Sequence, residues 1–122
     1  MIWAGIGLRE AADGAAFDDA LALAGTRPDA LACLAAKATP ALVAWASTQG
    51  LPLTRLDEHD IAGLETPTTS PRIAARFATG SIAEALALTA ARKGGHKARI
   101  IAPRVTSACG RATMALAERT TS

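Results

Sequence analysis

The sequence predicts a single α/β domain around a sheet of about five strands, and three observations carry that reading. Short apolar runs alternate with helix-forming stretches through the first half of the chain in a β-α-β-α-β rhythm, which implies parallel pairing through helical crossovers. The 122 residues supply one core with no room for a second, so residues 1–122 are read as one domain. Hydrophobic residues make up 50% of the chain, yet about half of these are alanines, beside two Phe, two Trp and no Tyr. Such a composition favours alanine-rich helices lying close on a sheet over a sandwich of large side chains.

Each element has its own signal. Ile2–Ile6 is a buried first strand closing in the glycine turn Gly5-Ile6-Gly7-Leu8-Arg9. Asp13 caps a helix whose Phe17, Ala20, Leu21 and Ala24 recur at helical spacing, and Gly25 and Pro28 stop it. Ala30–Ala36 reads as the second strand. Thr39-Pro40 pairs a cap residue with proline at the first helical position, and the helix runs to Gly50 with Trp45 at its margin. Leu51–Leu56 is the third strand. From Asp57 to Thr79 the pattern loosens, and Thr66-Pro67-Thr68-Thr69-Ser70-Pro71 reads as a long connection, with a short helix allowed after Ser70-Pro71. Ser81-Ile82-Ala83-Glu84 is a capping-box sequence, and its helix ends at Lys93-Gly94-Gly95. Ala98–Ala102 is a strand stopped by Pro103, and Ala112–Leu116 is the last.

Composition also excludes. A net charge of +2 is far short of the Lys/Arg density that nucleic-acid binding uses, yet it suits a small anionic ligand. There is no signal-length apolar stretch and no run near the ~18 residues of a membrane span, so reduced thiols and a cytoplasmic location are expected, with neither membrane nor nucleic acid as partner. Cys33, Cys109, His59 and His96 form no ligand cluster, so no metal is expected.

In open α/β sheets ligands bind beyond the carboxyl ends of the strands. Gly5 and Gly7 offer backbone amides there, and Arg9 adds a fixed positive charge. The third glycine of a dinucleotide fingerprint is missing and no acidic residue ends the second strand, so no nicotinamide or flavin, and no other cofactor, is expected. Thr68, Thr69 and Ser70 bring hydroxyls that could donate to carboxylates or cap their own turns. Gly80-Ser81 stands at a helix N-terminus that could hold an anion, although capping already uses some of its donors. Lys37 follows an apolar strand, either beside an anionic partner or snorkelling to solvent. Arg72 and Arg76 share a helix face where hydration competes with an anion contact. His59 and His96 read as surface histidines, and no paired acid and base is visible, so catalytic residues stay unassigned.

Read in order, Gly5-Ile6-Gly7-Leu8-Arg9, Lys37, the Thr/Ser-Pro loop, Gly80-Ser81-Ile82-Ala83-Glu84-Ala85 and Pro103-Arg104 with the following strand resemble the CobE family, which also forms the C-terminal domain of CbiG. The resemblance spans nearly the whole chain. It implies a three-layer α/β/α fold with a mixed, mostly parallel sheet, and a role in building the corrin ring of cobalamin. The family's two-domain member opens a lactone on a ring-contracted cobalt intermediate, releasing acetaldehyde; without that other domain, this chain looks like the stand-alone protein of the oxygen-dependent branch. Many members carry lysine where this chain has Arg104, which keeps the charge and removes an amine nucleophile.

Corrin intermediates carry several carboxylates around an apolar macrocycle, and such a ligand is served by spaced cations beside an apolar floor. The expected site joins Arg9, Lys37, Arg104, Thr68, Thr69 and Ser70, with Gly5, Gly7, Gly80 and Ser81 as backbone donors. Its expected partners are a corrin or precorrin intermediate and other cobalamin-pathway enzymes. Binding or delivery of the intermediate ranks first. A hydrolase acting on a precorrin lactone or acyl group, and an interaction module whose alanine-rich helices support a homo-oligomer, are the alternatives.

Overall fold

The first turn of a helix leaves amide donors unpaired, and the start of each helix here supplies the acceptor. In the computed structural model, which describes residues 1–9, 11–62, 64, 66 and 81–120, β1 (Ile2–Leu8) leads into α1 (Gly14–Ala24), where Asp13 Oδ1 accepts the Ala16 N–H at 3.1 Å. After β2 (Ala30–Leu34) and a 3₁₀ turn at Ala35–Lys37, α2 (Pro40–Gln49) opens with Thr39 Oγ1 accepting the Leu42 N–H at 3.2 Å. β3 (Leu53–Leu56) is followed by the single turn α3 (Glu58–Ile61), where Asp60 Oδ2 accepts the Asp57 N–H at 2.8 Å. α4 (Ile82–Arg92), β4 (Ala98–Thr106) and β5 (Ala112–Arg119) complete the described elements.

One five-stranded sheet has the order β3-β2-β1-β5-β4. The pairs β1–β2 and β2–β3 are parallel, while β5 runs antiparallel to both β1 and β4. Four strands therefore share one direction and β5 alone opposes them; the sheet is mixed as expected, with two parallel and two antiparallel pairings.

Side chains alternate across a strand, and the alternation assigns the layers. Ala4, Ile6, Leu31, Cys33, Met114 and Leu116 pack on one face against Phe17 and Ala20 of α1 and Leu42, Trp45 and Ala46 of α2. Ala32, Leu34 and Ala117 face the other way, toward α4 and Ile61 of α3. The α4 side of the central strands is made of small residues, and a Cβ on Gly5 would come within 1.9 Å of the Ala83 carbonyl oxygen and 2.6 Å of the Ala87 nitrogen. The alanine bias is thus a close-approach device: a helix of small residues lies directly on a strand of small residues. The opposite layer holds the aromatic pair Phe17 and Trp45, which meet at 5.5 Å between ring centroids.

Several expected boundaries move. β1 continues past Gly7 to Leu8, so the glycine turn is strand, and β2 ends at Leu34 where the 3₁₀ turn begins. Trp45 is buried, not marginal, with its indole N–H donated to Asp18 at 2.8 Å. Pro103 does not stop β4, which runs on to Thr106. An edge strand has no outer neighbour needing the missing N–H, and the pairing with β5 shifts on both sides of Ala102, so the proline sits in an irregular stretch. The expected Thr66–Pro71 connection and the short helix after Ser70-Pro71 lie outside the described residues, apart from Thr66.

Candidate functional site

β1 and β4 end on the same edge of the sheet, and β5 begins there, so the end of β1, the β4–β5 hairpin and the first turn of α4 converge. They surround a cavity of about 280 Å³. Arg9 comes from the end of β1, Arg104 from β4 and Arg111 from the hairpin; Thr106 and Thr113 add hydroxyls, and Leu8, Ile82 and Ala83 give apolar wall. Among the described residues lining it there is no carboxylate. Three arginines with no carboxylate among the described lining residues make this cavity positively charged, and a planar guanidinium presents paired donors of the kind a carboxylate accepts. The positive end of the α4 dipole adds to the same field.

The hairpin that brings Arg111 here is fixed from inside. Ser107 is buried, its N–H bonds the Ala112 carbonyl at 2.9 Å, and its Oγ accepts the Ala112 N–H at 3.2 Å. Gly110 turns the chain with φ of 74°, a left-handed conformation open to glycine. The Arg9 N–H donates to the Arg111 carbonyl at 2.8 Å, which ties two of the three cation-bearing segments together. The Ala108 N–H donates to Asp19 Oδ2 at 2.6 Å and anchors the hairpin tip to α1.

The expected site residues divide. Arg9, Arg104 and Gly7 meet at the cavity. Gly7 serves there by having no side chain: a Cβ would lie 2.5 Å from Thr113 Oγ1, the hydroxyl that donates to the Gly7 carbonyl at 3.2 Å. Gly5 is a central-strand residue aligned with Ala32 and Ala115, beneath α4, where its lack of a side chain lets the helix approach the strand. Lys37 is exposed on the 3₁₀ turn after β2 and is not among the residues lining the cavity. Ser81 is fully buried and uses its hydroxyl to accept the Glu84 N–H at 3.4 Å, the capping half of the expected box. Thr68, Thr69, Ser70 and Gly80, like Arg72 and Arg76, lie outside the described residues.

Sequence reasoning missed Arg111, Thr106 and Thr113. Arg111 follows Cys109-Gly110 and looks like an ordinary strand start; the signal available was that a tight turn between two strand-like runs returns the second to the end of the first. His59 lies in the exposed group Asp57, His59 and Asp60, 3.6 Å from Asp60, at the β3 edge of the sheet and far from the cavity.

The fold and the cavity define a class, a small α/β protein with an arginine-lined cavity at its strand ends. The family model for the cobalamin synthesis G C-terminus matches residues 2–117, and the chain belongs to that family of cobalamin biosynthesis proteins. Two solved structures agree with it. CobE, a protein from the cobalamin (vitamin B12) biosynthetic pathway, is 28% identical with a TM-score of 0.78, over 100% of this chain and 92% of that one. The cobalamin biosynthesis protein chiG from Agrobacterium tumefaciens str. C58 is 28% identical with a TM-score of 0.73, over 99% of this chain and 100% of that one. No curated protein matches the chain. Among the described residues no helix is long and apolar enough to cross a membrane.

Proposed function

We propose that the chain binds a polycarboxylate corrin intermediate at the cavity and delivers it within cobalamin biosynthesis. The observation that carries this is the convergence of Arg9, Arg104 and Arg111 on one cavity whose wall includes Leu8, Ile82 and Ala83. Spaced cations meet carboxylate side arms, and the apolar wall meets the macrocycle between them. Binding is favoured over hydrolysis because the lining among the described residues offers fixed cations and hydroxyls but no group to act as a general base.

The test is a spectroscopic titration of the purified protein with hydrogenobyrinic acid, followed by gel filtration to retain bound pigment. Saturable binding is expected, weakened about tenfold or more by Arg104→Ala and by Arg111→Ala, since a hydrogen bond to a charged group contributes roughly 1.5–3 kcal/mol. Lys37→Ala, away from the cavity, should leave the affinity within about twofold, and Arg111→Ala should leave stability within about 0.5 kcal/mol. No saturable binding, or an affinity sensitive to Lys37 and indifferent to Arg104 and Arg111, would remove the proposal.

A further inference from the structure

We infer that Glu84 is a positioning residue for this cavity, its buried carboxylate holding Arg104 in place through the Arg104 backbone amide; the role rests on the binding reading above. Glu84 is a fully buried acid in a helix whose other buried residues are alanine and leucine. A buried carboxylate is costly without hydrogen bonds, so its presence there calls for a local cause. One such hydrogen bond is visible: Glu84 Oε2 accepts the Arg104 N–H at 3.0 Å, joining α4 to β4 across 20 residues of sequence.

The Arg104 amide has need of this acceptor. β4 pairs with β5 at Ala102–Leu116 and resumes at Val105–Met114, so Pro103 and Arg104 together stand against the single residue Ala115. Two residues against one is a bulge, which interrupts the ladder and re-aims a side chain. Glu84 takes up an amide of the bulge, and Ser81 in turn takes up the Glu84 amide at 3.4 Å. The chain Ser81–Glu84–Arg104 thereby sets the first turn of α4, which carries the wall residues Ile82 and Ala83, against the strand that carries the cation.

The test is a double-mutant cycle on the whole chain, read by hydrogenobyrinic acid titration. Glu84→Gln keeps an acceptor oxygen and should hold the affinity within about twofold. Glu84→Leu fills similar space with no acceptor and should weaken binding about tenfold, ~1.4 kcal/mol. In an Arg104→Ala background Glu84→Leu should cost less than about twofold further, because the residue it positions is already gone. Penalties of Glu84→Leu and Arg104→Ala that multiply, or a folded Glu84→Gln as weak as Glu84→Leu, would overturn the role while leaving the binding site standing. A wild-type protein that binds nothing would overturn the site reading and this role with it. If Glu84→Leu does not fold, amide exchange on Glu84→Ala decides: the Arg104 amide should exchange faster there than in wild type, and an unchanged rate would overturn the role.

Discussion

The two halves of the sheet are built on different rules. The β1–β2–β3 half follows a regular βαβ pattern, buries Phe17 and Trp45 beneath it, and contributes Arg9 and Gly7 to the cavity at the end of β1. The β4–β5 half is an antiparallel hairpin with a bulged, proline-containing edge, and it contributes Arg104, Thr106, Arg111 and Thr113. Regular pairing fixes side chains to alternate faces; irregular pairing lets one be turned toward a ligand. One half is scaffold and the other carries most of the site.

That contrast can be broken by substitutions whose effects belong to the wrong half. The largest expected effect is from Phe17→Ala: removing a fully buried ring from a core with few large residues should cost about 4 kcal/mol in denaturant unfolding. Gly5→Ala follows. Its new methyl meets the backbone of α4 at Ala83 and Ala87, which cannot rotate away, so a loss of about 2 kcal/mol is expected. Folded Gly5→Ala protein with unchanged stability would mean that α4 can lift off β1 freely.

The smallest effect, chemical and not energetic, separates the two cysteines. Cys33 is buried in β2, and burial raises its pKa against the opposing pull of Arg55. Cys109 is exposed at the hairpin; Ser107 Oγ, 3.3 Å from its Sγ, is the main influence lowering its pKa, with the Arg111 backbone amide next. A depressed folded pKa means that the thiolate forms at lower pH than in an ordinary thiol. Alkylation of the native protein should therefore modify Cys109 alone, with a rate profile that moves to higher pH on unfolding, while Cys33 reacts only once the sheet opens. Equal labelling of both under native conditions would show that the β2 core opens as readily as the hairpin.

Much of the fold was legible because its signals are local. Asp13, Thr39 and Ser81 are cap residues whose chemistry acts within one turn, and the glycines at 25 and 50 end helices through their own backbone freedom. That Arg9 and Arg104 come to one cavity was legible because both stand near strand ends, where α/β proteins gather their clefts. The same rule did not bring Gly5 and Lys37 to that cavity: Gly5 lies within β1 beneath α4, and Lys37 lies on the turn after β2.

By itself, then, the sequence determined the element order, the caps and the family, all carried by residues close together in the chain. The tertiary structure decided which strand ends share an edge, that β5 opposes its neighbours and delivers Arg111, and that Glu84 reaches β4. Those facts depend on contacts between residues tens of positions apart, and local patterning holds no record of which distant partner a strand or a buried carboxylate will meet.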